Sequence, residues 1–153
     1  MKIVVDTNIL VNAFKRSNIK HLAVTMLLMS IPTAIICLDF EGIIDGEYRR
    51  NLSGLELYEK WVKEIRFDFC NGRLPNTHKV FLCSKQCHEP VDHTLIAVAL
   101  NSHKVLFTED SDMGKGAKGG VQPHTEVLHY LVHKLGIQVC DAGEAQALLL
   151  SLR

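Results

Sequence analysis

The sequence predicts an α/β fold in which a mainly parallel sheet is covered by helices on both faces. Short, β-branched apolar runs alternate with longer amphipathic stretches along the whole chain. Such alternation is typical of parallel sheets whose connections are helical. The 153 residues contain no repeat, linker or low-complexity tract. We therefore expect residues 1–153 to form a single domain with its own core.

The first half of the chain supplies two strands and three helices. Residues 2–5 (KIVV) are too short and too β-branched for a helix, so they form the first strand. Asn18 caps a helix that runs to about Ser30, and Pro32 stops it. A second strand and two helices follow, at residues 33–38, 43–52 and 55–67.

The second half continues the alternation. We assign strands to residues 80–83, 105–108 and 137–140, and helices to residues 91–101, 125–135 and 144–152. Gly136 closes the helix before the last strand. The glycine-rich segment 113–120, which also carries two lysines, is expected to be a mobile loop.

Charge and cysteine content limit the functional classes. Lysine plus arginine equals aspartate plus glutamate, 17 each, which excludes a globally basic nucleic-acid binder and leaves self-association, such as a homodimer, unopposed. Ser30 and Pro32 interrupt the apolar residues 22–37, so we expect no membrane segment. Five cysteines without a secretory signal indicate reduced thiols and a cytoplasmic protein.

Acidic residues lie where strands of the predicted sheet end or where a helix begins. Asp6 and Asp110 each follow a strand, and Asp92 precedes an apolar helix. Ligands of parallel sheets gather at the carboxyl ends of the strands, so these acids are expected at one edge. Converging carboxylates repel one another unless a divalent cation such as Mg²⁺ or Mn²⁺ holds them. The pattern predicts a metal-dependent phosphodiesterase site.

Four segments resemble the motifs of PIN-domain nucleases, in the same order and over nearly the whole chain. Each motif alone is weak, and the four together are fairly specific. They are residues 3–10 (IVVDTNIL), 44–48 (IDGEY), 92–99 (DHTLIAVA) and 108–112 (TEDSD).

The resemblance implies a three-layer α/β/α sandwich and metal-dependent cleavage, usually of single-stranded RNA. Its acidic quartet would bind Mg²⁺ or Mn²⁺ and consists of Asp6, Glu47, Asp92 and Asp110. Asp112 would be a fifth or outer acid, and Asn8 would orient Asp6 or a water at the metal. Family analogy further implies a toxin or defence nuclease with a protein inhibitor or antitoxin as partner.

Each of these residues also has a purely structural interpretation. Asp6 and Asp92 would serve equally well as helix caps, and Glu47 would fit a solvated acidic face. Glu109 is expected to be an ordinary surface residue. Candidate phosphate contacts, which are otherwise solvated cations, are Lys15, Arg16, Lys115 and Lys118. No histidine is assigned to the site.

Three functions stay open at this point. The leading one is an endoribonuclease, with DNA as an alternative substrate. The second is a degenerate PIN-like module that binds RNA or protein without cleaving. The third is a phosphatase with Asp6 as nucleophile, which is less favoured because Asn8 stands where such enzymes have a second aspartate.

Overall fold

The computed structural model describes residues 1–153 and contains one sheet of five parallel strands, in the order β3-β2-β1-β4-β5. The strands are β1 (Lys2–Val5), β2 (Ile35–Asp39), β3 (Phe67–Cys70), β4 (Val105–Phe107) and β5 (Gln138–Cys140). β1 pairs with β2 on one side and with β4 on the other, with Val5 opposite Phe107.

Eight α-helices connect and flank the strands. They are α1 (Thr7–Phe14), α2 (Ile19–Ser30), α3 (Ile43–Leu52), α4 (Glu56–Glu64), α5 (Asn76–Ser84), α6 (Pro90–Leu100), α7 (His124–His129) and α8 (Ala142–Ser151). A 3₁₀ turn spans Ser111–Met113, and Tyr130–Lys134 extends α7 as a π-helix. The predicted α/β/α sandwich with a parallel sheet is confirmed. None of the helices has the length and apolar character needed to cross a bilayer.

Helices cover the sheet because their apolar sides pack on it. α6 packs across β1, β2 and β4, while α2 packs against α1, α4 and α8. Every residue of α6 from Asp92 to Ala99 is buried, so this helix is enclosed on all sides, with polar residues only in its first half. The apolar core is a single cluster that extends from Ile3 to Leu149.

Local sequence explains several helix starts. Asn18 accepts hydrogen bonds from the backbone N–H groups of Lys20 and His21 and so caps α2, as predicted. Pro90 is the first residue of α6, where its missing N–H costs nothing. Asp141 and Glu144 form a reciprocal capping box at α8. These signals fix where the helices begin.

One assigned strand is wrong: residues 80–83 belong to helix α5, in which Leu82 is buried and Val80 is exposed. The third strand lies earlier, at Phe67–Cys70, and overlaps the predicted helix 55–67 only at its last residue. That helix is confirmed as α4, which ends at Glu64. β3 is an edge strand that buries only one of its four residues, so its apolar signal is weak. Helix α1, directly after Asp6, has no assignment in the sequence analysis.

The glycine-rich segment is a series of tight turns. A Cβ atom at Gly116 would lie 2.3 Å from the carbonyl oxygen of Glu109, and one at Gly119 would lie 2.4 Å from the carbonyl oxygen of Lys115. Only glycine permits these close backbone approaches. The glycines therefore serve close packing beside the acidic end of β4.

Candidate metal centre at the carboxyl edge of the sheet

The centre forms where the chain reverses its direction across the sheet. After β1 the chain moves outward to β3, then returns to β4 on the other side of β1. Such a switch point leaves a crevice at the carboxyl ends of the two strands, where α/β proteins bind ligands. Asp6 follows β1 and Thr108 follows β4. The Asp6 N–H donates to the Phe107 carbonyl at 2.8 Å, which fixes the two ends together.

Asp6 is buried beside Thr108. The Thr108 hydroxyl donates to Asp6 Oδ2 at 2.7 Å, and Asn8 Nδ2 donates to the same oxygen at 3.0 Å. Burial raises the pKa of Asp6 to about 6; the Thr108 hydrogen bond opposes the rise, and the charge of Asp110 adds to it. Asn8 therefore orients Asp6, as the family resemblance implies.

Asp92 is the acid of the group whose burial is least compensated by hydrogen bonds. It lies in the first turn of α6 and is only 6% exposed, and its Oδ2 is buried without a hydrogen-bond partner. Burial, followed by the charges of Asp110 and Asp6, raises its pKa to about 8. A buried carboxylate oxygen without a donor carries a desolvation cost that only a proton or a cation removes.

Asp110 and Asp112 lie beside Asp92. Asp92, Asp110 and Asp112 each offer an oxygen atom, and these atoms all lie within 4.8 Å of one another. Asp110 Oδ1 accepts the Asp112 N–H at 2.9 Å, so the turn positions its own carboxylate. Burial raises the pKa of Asp110, and Asp92 is near enough to share a hydrogen bond with it when one of the two is protonated.

These three carboxylates fit a divalent metal ion. They supply hard oxygen ligands from two different elements, and one of them has an unpartnered buried oxygen. A shared proton is the alternative means of relieving the repulsion, and it is lost as the pH rises. The group can therefore hold a metal; its oxygen-only set suits Mg²⁺, Ca²⁺ or Mn²⁺.

Glu47 lies outside this tight group. Its carboxylate on α3 accepts hydrogen bonds from Arg50 at 3.1 Å and Asn51 at 3.0 Å. Glu47, Asp6 and Asp92 line one open cavity of about 350 Å³. The structure thus brings the four predicted acids to one edge, and Glu47 already has hydrogen-bond donors of its own.

The four candidate phosphate contacts differ in their surroundings. Arg16 lines the same cavity and donates to Asn12 Oδ1 at 3.0 Å. Lys115 is instead paired with Glu144 at 2.6 Å and is only 14% exposed, so its ammonium group already has a carboxylate partner. Lys15 and Lys118 are exposed. Arg16 is the cation that the structure places at the acidic cavity.

Glu109 corrects the expectation of an ordinary surface residue. Its Oε2 is 2.8 Å from Nε2 of the buried His21, and its Oε1 accepts the Ala142 N–H at 3.2 Å. Its own N–H donates to Asn8 Oδ1 at 3.2 Å. Glu109 therefore ties the strand end that bears Asp110 to α2 and α8.

Sequence reasoning missed two residues of the site. Thr108 holds Asp6 with its hydroxyl and also accepts the Asp110 N–H at 3.0 Å, so one side chain connects both strand ends. A threonine directly after the last strand residue was the available signal. His124 lies 3.7 Å from Asp112, twelve residues along the chain, and no local pattern indicates it.

Comparison of the chain with protein-family models, with curated proteins and with solved structures finds no match.

Proposed function

We propose that this chain is a metal-dependent nuclease that hydrolyses phosphodiester bonds of single-stranded RNA. The observation that carries the proposal is the buried, unpartnered oxygen of Asp92 beside Asp110 and Asp112. Protein interiors rarely leave such an oxygen without a partner. A metal-dependent enzyme would retain this unpartnered oxygen because it serves as a metal ligand.

The metal would be held by Asp92, Asp110 and Asp112. When bound, a divalent cation supplies the positive charge that lets a phosphate approach the acids, and it activates water for attack on phosphorus. Glu47 lines the cavity next to Asp92 and is paired with Arg50 at 3.1 Å.

Asp6 is suited to accept a proton from the attacking water. Its pKa of about 6 keeps it ionised at neutral pH and more basic than an ordinary carboxylate. Thr108 and Asn8 both donate to its Oδ2, which fixes the carboxylate plane. The two donors therefore keep Asp6 in one orientation while it acts.

Arg16 is the residue that would bind the RNA backbone. Its guanidinium is exposed at the rim of the acidic cavity, with Asn12 holding one nitrogen. Guanidinium groups bind phosphate with two parallel hydrogen bonds.

The test is cleavage of single-stranded and double-stranded RNA and of single-stranded DNA, with Mn²⁺, with Mg²⁺ and with EDTA. Wild type should cut single-stranded RNA only with metal, and Asp92→Asn should lower the rate by at least about 100-fold, since it removes the central ligand. Asp45→Asn, on the same helix as Glu47 and paired with Arg49, is the control.

The same assay separates the competing functions. RNA binding without cleavage under every metal condition would favour a non-catalytic module. A phosphorylated Asp6 trapped during turnover of a phosphate monoester would favour the phosphatase. Cleavage that survives both EDTA and Asp92→Asn would overturn the proposal.

A further inference from the structure

His124 points a buried nitrogen toward the acids. It is the first residue of α7, and its Nδ1 has no hydrogen-bond partner. The nearest carboxylate oxygen is Asp112 Oδ1, at 3.7 Å. That distance exceeds the reach of a hydrogen bond, about 3.2 Å. The buried His124 nitrogen and the partly exposed Asp112 oxygen therefore face each other without a hydrogen bond.

The separation suits two ligands of one metal ion. With metal–ligand bonds of about 2.1 Å, adjacent octahedral ligand atoms lie about 3.0 Å apart and opposite ones about 4.2 Å apart. The 3.7 Å between His124 Nδ1 and Asp112 Oδ1 is short enough for one ion to reach both atoms. A movement of less than about 1 Å would bring them to the adjacent separation. His124 also lies near enough to Asp110 to oppose the burial-driven rise in the pKa of that acid. His124 is thus next to two of the three acids.

A close backbone contact holds His124 at this place. Gly114 follows the turn that bears Asp112 and has a left-handed backbone conformation, with a φ of +83°. A Cβ atom on Gly114 would lie 2.7 Å from the His124 carbonyl oxygen and 2.4 Å from Leu128 Cβ. The turn and the start of α7 are therefore in direct contact, and the histidine cannot retreat from the acids by a shift of its helix.

From this geometry we infer that His124 completes the metal centre as a nitrogen ligand beside Asp92, Asp110 and Asp112. The inference rests on the proposed function. The carboxylates alone would suit Mg²⁺. An imidazole ligand shifts the preference toward ions that accept nitrogen, because Mg²⁺ binds nitrogen poorly. The site therefore selects Mn²⁺ over Mg²⁺.

The experiment measures metal binding directly, without RNA. Calorimetry gives the dissociation constants of Mn²⁺ and Mg²⁺ for wild type, for His124→Ala and for His129→Ala. Pulsed electron paramagnetic resonance of the Mn²⁺-loaded proteins detects a coordinated ¹⁴N nucleus. His129 is a matched control because it lies on the same helix, is exposed and stacks on His133, 4.4 Å away.

Wild type should show ¹⁴N coupling, and His124→Ala should lose it. The same variant should bind Mn²⁺ about tenfold more weakly, with Mg²⁺ changed by less than about threefold. His129→Ala should behave like wild type in both measurements. Because the ¹⁴N coupling is measured on wild type itself, the test still gives an answer if His124→Ala does not fold.

The outcomes separate this inference from the proposed function. If wild type binds neither ion, the metal-dependent nuclease itself fails. If wild type binds metal without ¹⁴N coupling, or if His124→Ala keeps the same ratio of Mn²⁺ to Mg²⁺ affinity, His124 is not a ligand while the nuclease proposal stands.

Discussion

Two buried aspartates at the same edge of the sheet differ in whether hydrogen-bond donors compensate their burial. Asp39 ends β2 and is 1% exposed, and its two oxygens accept the N–H groups of Ile43 and Ile44, both at 2.9 Å. Asp92 is also buried, but its Oδ2 accepts nothing. Asp39 is satisfied by the first turn of α3, whereas Asp92 faces other carboxylates.

The difference teaches that burial alone does not mark a functional acid. A carboxylate that accepts two backbone N–H groups contributes to the fold, because the donors compensate for its desolvation. A carboxylate among like charges destabilises the fold until a proton or cation arrives. The metal-free stability of variants therefore separates the two kinds of residue, and the following predictions test the separation.

Asp39→Ala should be the most damaging change. It leaves two N–H groups at the start of α3 without an acceptor, and each such loss costs about 1–3 kcal/mol, so we expect a loss of about 3 kcal/mol of unfolding free energy. Chemical denaturation of the metal-free protein measures it. Asp39→Asn, which keeps one oxygen, should lose less. An unchanged denaturation midpoint for Asp39→Ala would show that Asp39 does not stabilise the fold.

Asp92→Asn should act in the opposite direction. The raised pKa of Asp92 reports the cost of ionising this carboxyl, so the neutral amide should add about 2 kcal/mol of metal-free stability at pH 8. The same denaturation series measures it, with Asp39→Asn as the matched change at the satisfied acid. A lower midpoint for Asp92→Asn would mean that the residue is a structural cap.

The metal-free wild type should lose stability as the pH rises. The folded pKa values of Asp92 and Asp6, about 8 and about 6, lie above about 3.9 in the unfolded chain, so folding takes up protons between these values. The stabilising contribution of these two acids is fully present below about pH 4 and is lost as the pH rises to about 8, by at most about 1.4 kcal/mol per pH unit for each acid.

Melting temperatures from pH 5 to pH 9 in EDTA measure this dependence. Asp92→Asn should flatten the upper part of the curve, and saturating Mn²⁺ should do so in wild type. A melting temperature that stays constant or rises from pH 6 to pH 8 would show that the acids do not repel one another.

Glu47→Gln should have the smallest effect. Its carboxylate already accepts from Arg50 and Asn51 and is partly solvated, so the metal-free stability should change by less than about 0.5 kcal/mol. The stabilisation by Mn²⁺ should fall less than it does in Asp92→Asn. A change as large as that of Asp92→Asn would place Glu47 inside the tight group.

Much of the architecture was predictable because strand and helix periods differ. β1 and β4 are short apolar runs that end in an acid, so Asp6 and Asp110 were found together with their position at one edge. β3 was not found because an edge strand buries little, and residues 80–83 looked like a strand because a short apolar run fits either element.

The sequence does not predict which acids accept hydrogen bonds and which remain unpartnered. Asp39 and Asp6 both end apolar strands, and only the coordinates show which one has N–H donors. His124 depends on the contact of Gly114 with α7, a tertiary feature that no spacing encodes. Glu109 likewise owes its side-chain contacts to partners on α2 and α8, far away in sequence.

The turns between Asp112 and His124 form a loop with closely joined ends. Gly119 packs on Gly114 and Lys115, whereas a Cβ atom at Gly120 would meet nothing within 4 Å and Val121 is 61% exposed. A loop whose two ends are held together and whose tip makes no close contacts accepts an insertion at little entropic cost. A peptide tag or recognition sequence inserted after Gly120 would therefore lie beside the cluster of Asp92, Asp110 and Asp112 without disturbing it.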